Sequence, residues 1–304
     1  MNNLINEVKS LEIETLKNLK NSKAQNTLRA YQADFKDFSS FCVKNGFNSL
    51  PTEPKIIALY LTHLSSFSKF STLKRRIASI KVVHRLKGHY IDTKHPIITE
   101  NIMGIKRKLG VKQTSKKPIL INDLKKIINV INEEKNELKK YQNKALILIG
   151  FAGGFRRSEL VSIEYEDVDF VAEGVKITVT KSKTDQTGIG LTKAIPYFEN
   201  KIYCPVISLK KWIEYTNIKG GKVFKVSDKT VALTIKKYAS IAGLDNSKYA
   251  GHSLRSGFAT STAEIGADER SIMAMTGHKT TQMVRRYIQE ANLFKNNALN
   301  KIKI

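Results

Sequence analysis

The sequence predicts a mainly α protein in two parts: an all-helical N-terminal unit, then a mixed α+β unit with a small antiparallel sheet. Three observations carry this. Up to residue 109 the apolar residues recur only at helical spacing. Beyond it, Val175, Ile177 and Val179 alternate with Lys176, Thr178 and Thr180, and a second strand, Leu191 to Pro196, follows a glycine-containing turn. The length of 304 residues suits two domains at ~150 residues each.

Residues 1–21 read as an accessory amphipathic helix, with Leu4, Val8, Leu11, Leu16 and Leu19 on one side. The helical unit spans 22–109. Thr27 is expected to cap its first helix, which turns Leu28, Tyr31, Phe35, Phe38 and Cys42 inward and stops at Gly46. Pro51 to Pro54 opens the next, with Ile56, Leu59, Tyr60 and Leu64 inward. Ser71 is expected to cap a third, whose core face is Leu73, Ile77, Ile80 and Val83 and whose outer face carries Lys74, Arg75, Lys81, Arg85 and Lys87; Gly88 ends it. Thr99 is expected to cap a short helix containing Ile102, Ile105 and Leu109, with Lys106, Arg107 and Lys108 near its end. Residues 110–118, rich in Gly, Ser, Thr, Lys and Pro, read as a linker. In the second unit, 119–304, helices are expected near 123–133 and 140–152, the two strands follow, and helices return over 205–216, 228–242, 253–265, 268–276 and from 280 onward.

Composition narrows the function. Lys plus Arg number 52 against 27 Asp plus Glu, a net charge of +25. Such an excess favours a polyanionic partner, nucleic acid first and an anionic membrane surface second. The longest apolar run, Ala145 to Ala152, is far shorter than the ~18 residues of a bilayer span. The N-terminus is not a basic-then-apolar leader, and Cys42 and Cys204 form neither a disulfide framework nor a metal-ligand spacing, so a reducing cytoplasm is expected, with no metal and no cofactor.

Four segments of the second unit carry chemistry together. In Ala152-Gly-Gly-Phe-Arg-Arg-Ser-Glu-Leu160, two glycines allow a tight turn and an Arg follows where a helix begins, a cradle for a phosphate. In His252-Ser-Leu-Arg255, an imidazole and a guanidinium share a helix face. In Thr276-Gly-His-Lys279, Gly277 ends a helix just before His278, and Tyr287 lies further on in Arg-Arg-Tyr-Ile. Each alone is ordinary: a surface Arg, a solvated helix face, a core Tyr. Their order, in a chain of this charge, is not.

The series Gly154-Phe-Arg156-Arg-Ser-Glu159-Leu, His252-x-x-Arg255, Gly277-His278 and Tyr287 resembles the signature of the tyrosine recombinases, the phage integrase family. Asn26-Thr-Leu-Arg-Ala-Tyr-Gln-Ala-Asp34 is similar to the opening of the helical core-binding domain in Cre-like members. The resemblance runs from about residue 22 to the end. Arg157, where many members carry an aliphatic residue, and Ser256, where a His is frequent, depart from the pattern without removing a catalytic group.

The resemblance implies a core-binding domain followed by a catalytic domain, closing around double-stranded DNA that carries a specific site, and a homotetramer on that DNA. It implies that Tyr287 attacks a phosphodiester to give a 3′-phosphotyrosyl link and a free 5′-hydroxyl, with no ATP and no metal. Arg156 and Arg255 would grip the non-bridging oxygens, His278 would hydrogen-bond the phosphate, and His252 would assist proton movement near the nucleophile. The acid for the leaving oxygen would be a lysine of the turn Lys181-Ser-Lys183-Thr-Asp185, Lys183 in preference to Lys181. Glu159 would orient a site group. The basic residues Lys74, Arg75, Lys81, Arg85, Lys106, Arg107 and Lys108 would face DNA. After Tyr287, Leu293, Phe294, Ala298, Leu299 and Ile302 recur at helical spacing, a segment that members exchange around a tetramer.

Rival readings are a type IB topoisomerase, which relaxes supercoils without a site, and a non-catalytic basic DNA-binding protein with Tyr287 in its core. The acidic run Glu164 to Asp169 reads as a solvated turn in preference to a Mg²⁺ site. Thr187-Gly-Ile-Gly190 reads as a hairpin turn, since it lacks the ending of a nucleotide-binding loop.

Overall fold

The computed structural model describes residues 11, 14, 24–110, 116–180, 190–291 and 298–302. The chain divides into two compact units, Met1–Thr114 and Ser115–Ile304. Most of the expected accessory helix lies outside the described residues; Leu11 and Glu14 are helical and exposed.

From residue 24 on, the described residues of the first unit form four helices: α1 (Gln25–Lys44), α2 (Pro54–Ser65), α3 (Phe70–Leu86) and α4 (Pro96–Leu109). Their core joins Phe38, Cys42, Ile57, Tyr60, Leu61, Leu73, Ile80 and Ile98. The start of α2 at Pro54 is as expected, whereas the other three starts differ from expectation. Thr27, Ser71 and Thr99 all fall inside helices; α2 and α4 begin at prolines, whose fixed φ suits the first helical position, and the His95 side chain caps α4 by accepting from Ile97 N–H. Leu59 is exposed, because α2 turns Ile57, Ala58 and Leu61 inward in its place. Buried Asp34 ties α1 to α3: Arg75 (2.8 Å), Arg76 (3.2 Å) and the Ser79 hydroxyl (2.8 Å) converge on its carboxylate. Buried His84 stays neutral. Burial depresses its pKa, and its two ring nitrogens are used by the Ile80 carbonyl and the Thr52 N–H.

The second unit runs α5 (Ile121–Asn132), α6 (Glu137–Ala152), α7 (Arg157–Ser162), β1 (Val168–Val171), β2 (Gly174–Val179), β3 (Leu191–Pro196), α8 (Pro205–Thr216), α9 (Asp228–Ile241), α10 (Ser253–Glu264), α11 (Glu269–Thr276) and α12 (Thr281–Ala291). The sheet is an antiparallel meander, β1-β2-β3, with Val168 opposite Ile177 and Val175 opposite Ile195. Sequence patterning missed β1, which takes in Val168 and Asp169, the last two residues of the acidic run. That run serves the turn: Glu166 accepts from the Gly221 N–H and Asp167 from the Glu164 N–H. Every residue from Ala145 to Ala152 is buried, so the C-terminal half of α6 is the hydrophobic axis of the unit and holds the following glycine turn rigidly. Residues 116–118 of the expected linker pair with this unit, Lys117 N–H donating to the Lys248 carbonyl at 2.7 Å.

The segment before α5 lies flat on α10: Ile119 N–H donates to the Ser253 carbonyl at 2.9 Å, and a Cβ built on Gly257 would stand 2.0 Å from the Ile119 carbonyl oxygen. Backbone cannot give way as a flexible side chain does. Gly257→Ala is therefore expected to destabilise the protein by about 1–3 kcal/mol in denaturant titration, the usual cost of overpacking.

Candidate active site

Three turns and one helix of the second unit meet at one point. The first follows α6. Gly154 adopts a left-handed conformation (φ 54°), and a Cβ there would press Phe258 and Thr276 at 3.1–3.2 Å, so glycine is what lets the turn sit this close. Arg156 then caps α7. Buried Glu159 receives both the Arg156 backbone N–H (2.9 Å) and its Nη1 (2.5 Å), which fixes the guanidinium from two sides. Arg156 Nη2 also reaches the Gly277 carbonyl at 3.5 Å. Arg157 goes elsewhere: its aliphatic stem lies over Gly251 and its guanidinium stands 3.8 Å from Asp228. The two adjacent arginines are thus separated by geometry as well as by spacing from Gly154.

The second turn brings His252 and Arg255. His252 caps α10 and is exposed, whereas Arg255, one turn into the helix, has 0% exposure. Arg255 Nη1 donates to the Gly154 carbonyl at 2.9 Å. Its Nε and Nη2 have no protein hydrogen-bond partner among the described residues. Burial, and then the charge of Arg156, bring its pKa down to about 10, so it remains protonated at neutral pH.

The third turn follows α11, where Gly277 is left-handed (φ 63°) and delivers His278 inward. Burial, then Arg255 and Arg156, push the His278 imidazole down to about 3. It is neutral at pH 7. Its Nδ1 lies 2.8 Å from the Thr276 hydroxyl, which can instead donate to the Ile272 carbonyl at 2.6 Å. When the hydroxyl serves Ile272, Nδ1 carries the proton and Nε2 a lone pair. When the hydroxyl turns to Nδ1, Nε2 carries the proton and can donate to a phosphate oxygen.

The fourth element is α12, which packs on α10 and α11. Tyr287 rests on a small core of Ala259, Ala263, Ile272 and Val284, with its ring centroid 6.2 Å from that of His278. Tyr287 is also within electrostatic reach of Arg255, whose charged form a phenolate at Tyr287 would favour.

Arg156, Glu159, His252, Arg255, His278 and Tyr287 are therefore brought together. Lys183 and Lys181, the expected acids, lie outside the described residues, as does most of the glycine-containing hairpin turn. Lys74, Arg75, Lys81 and Arg85 on α3 and Lys106, Arg107 and Lys108 at the end of α4 belong to the first unit and are exposed there; Arg75 is also held by Asp34. One site residue escaped the sequence reading. Lys193 on β3 has 1% exposure, and its Nζ donates to the Gly153 carbonyl at 2.7 Å and to the Met275 carbonyl. The signal was its phase: a residue two before inward-facing Ile195 must face inward too.

Comparison with known proteins places this geometry. Residues 119–293 match the model of the phage integrase family. An integrase/recombinase xerD homolog of Selenomonas ruminantium is 41% identical over 96% of this chain and 89% of its own. Among solved structures, the XerH site-specific recombinase bound to a palindromic difH substrate superposes with a TM-score of 0.68, at 18% identity over 88% of this chain and 80% of that one. A lambda integrase tetramer bound to a Holliday junction gives 0.58, at 18% identity over 97% and 80%.

Proposed function

The chain belongs to the phage integrase family, the tyrosine recombinases, which break and rejoin DNA, and from that premise we propose that it is a site-specific recombinase acting through a 3′-phosphotyrosyl intermediate. The observation that carries the proposal is Arg255. A guanidinium with no exposed surface and two nitrogens without a partner among the described residues is costly unless an anion completes it, and a phosphodiester oxygen fits both its charge and its fork.

The reaction follows from these three turns and α12. Arg255 and Arg156, the latter steadied by Glu159, take the two non-bridging oxygens. They offset charge that builds up on phosphorus oxygens in the transition state, in a site where burial strengthens the interaction. His278, in the tautomer with Nε2–H, adds a neutral donor. Tyr287 Oη attacks phosphorus, its proton passes toward His252, and the bond from phosphorus to the 5′-oxygen breaks. Lys183 is assigned the proton for that leaving oxygen, with Lys181 the alternative. One phosphodiester is exchanged for another phosphate ester, so the free 5′-hydroxyl reseals the strand without ATP, and the two guanidiniums supply the positive charge that a metal would otherwise provide.

The first unit, 22–109, is assigned to DNA binding through the basic faces of α3 and α4, the second to cleavage, and four copies of the chain to one synaptic complex. The lambda integrase tetramer on a Holliday junction supports the last of these. DNA affinity is expected to fall steeply with salt, log K losing about 0.9 per phosphate neutralised, and Lys81→Gln with Arg85→Gln to flatten that slope by about two phosphates. A slope unchanged by those substitutions would remove α3 from the interface.

The test of function uses a duplex selected by binding from a random pool and placed twice in one plasmid. Exchange of the flanking segments in EDTA without ATP is the expected result. Relaxation of supercoils on plasmids with and without the duplex would identify a type IB topoisomerase instead, and binding with neither reaction would identify a non-catalytic protein.

A further inference from the structure

Lys193 is a buried base that the reaction above does not use. It projects inward from β3 beside Ile195 and places its ammonium at the ends of two helices. One partner is the carbonyl of Gly153, which caps the C-terminus of α6; the other is the carbonyl of Met275, in the last turn of α11. Helix C-termini carry unpaired carbonyls and partial negative charge, so both suit a cation. The Phe155 ring closes the cage, its centroid 4.5 Å from Nζ. No carboxylate comes within ion-pair distance of Lys193 among the described residues.

Stability alone does not call for this arrangement. Burying an ammonium is costly, and the burial of Lys193, opposed by the Glu159 charge and reinforced by Arg255 and Arg156, brings its pKa down to about 7. An apolar side chain would fill the same space without that cost. What the ammonium adds is a bond to two separate turns at once. Three residues after Gly153 the chain reaches Arg156, and three after Met275 it reaches His278, each through a left-handed glycine.

We propose that Lys193 is a positioning residue for strand cleavage: it clips the turn that bears Arg156 to the turn that bears His278, so that both reach one phosphate. The proposal rests on the assignment of those two residues to the reaction.

The test is single-turnover cleavage of the selected duplex by K193M, H278A and the double variant, each assayed below its melting transition. K193M keeps the length of the side chain and removes the charge and the donors. It is expected to melt no lower than wild type and to bind DNA as wild type does. Its cleavage is expected to be about 10²-fold slower, the scale of a misplaced catalytic group. The double variant should then be little slower than H278A, because a clip has no value once the group it places is gone. Losses that multiply, or K193M cleaving at the wild-type rate while H278A is slow, would overturn the proposal and leave the site intact. If H278A and R156A both cleave at the wild-type rate, the site assignment itself fails.

Discussion

Tyr287→Phe is expected to bind DNA with the affinity of the wild type and to form no covalent adduct with it. The substitution removes one hydroxyl from a side chain whose ring packs on the cluster of Ala259, Ala263, Ile272 and Val284, so the ring's contacts and the fold of α12 persist. Affinity comes from a chain of net charge +25 and its phosphate contacts, to which one neutral phenol adds little. Chemistry, in contrast, has no substitute for the oxygen that attacks phosphorus. A duplex nicked just 3′ of the scissile phosphate loses the short fragment that carries the free 5′-hydroxyl, which traps the adduct, and a denaturing gel reads it. Wild type should show a shifted, denaturant-resistant band and the Phe variant none. An adduct with Tyr287→Phe would move the nucleophile to another residue.

Arg255→Ala and Arg156→Ala should each slow cleavage by at least about 10²–10³-fold, the loss found when a preorganised donor to a developing oxyanion is removed. Lysine at either position should rescue poorly, since it lacks the planar fork that engages Glu159 or spans a phosphate. The two alanine variants differ in stability. Arg255→Ala removes a desolvated charge that the protein only partly satisfies, and its melting temperature should change little. Arg156→Ala strands the 3%-exposed Glu159 carboxylate with the Arg156 backbone N–H alone, a loss on the scale of about 3–5 kcal/mol for one half of a buried pair. Pairing it with Glu159→Gln should return the stability and leave the cleavage defect. Wild-type cleavage by either alanine variant, measured in single turnover, would exclude that arginine from the site.

The sequence showed much of this directly, in places that physics explains. Strand β3 was legible at both ends because alternation, Pro196 and the glycine-containing turn mark it. The C-terminus of α11 was legible because a left-handed residue before His278 calls for glycine. The start of α2 at Pro54 was legible, since proline suits the first helical position, but other starts were less so: Thr27, Ser71 and Thr99 are good caps by type, yet Pro96 and tertiary packing set where α4 and the other two helices begin. The four clustered motifs gave the residues of the site but not their states. Spacing put His252 and Arg255 on one helix face, whereas in the fold the first is exposed and the second sealed. Nothing in the order of residues says that Arg157 turns to Gly251 and Asp228 while Arg156 turns to Glu159. Lys193 was passed over because lysine is counted as an outward residue, although its strand phase said otherwise.

The central claim is that Tyr287 carries the broken strand. The most direct measurement is peptide mapping of the trapped adduct: the complex is denatured, digested with nuclease and trypsin, and the peptide retaining a nucleotide is sequenced by mass spectrometry. The remnant is expected on the peptide of residues 287–295, attached at its first residue, Tyr287, through a 3′-phosphate. A remnant on any other side chain, or one joined through a 5′-phosphate, would contradict it.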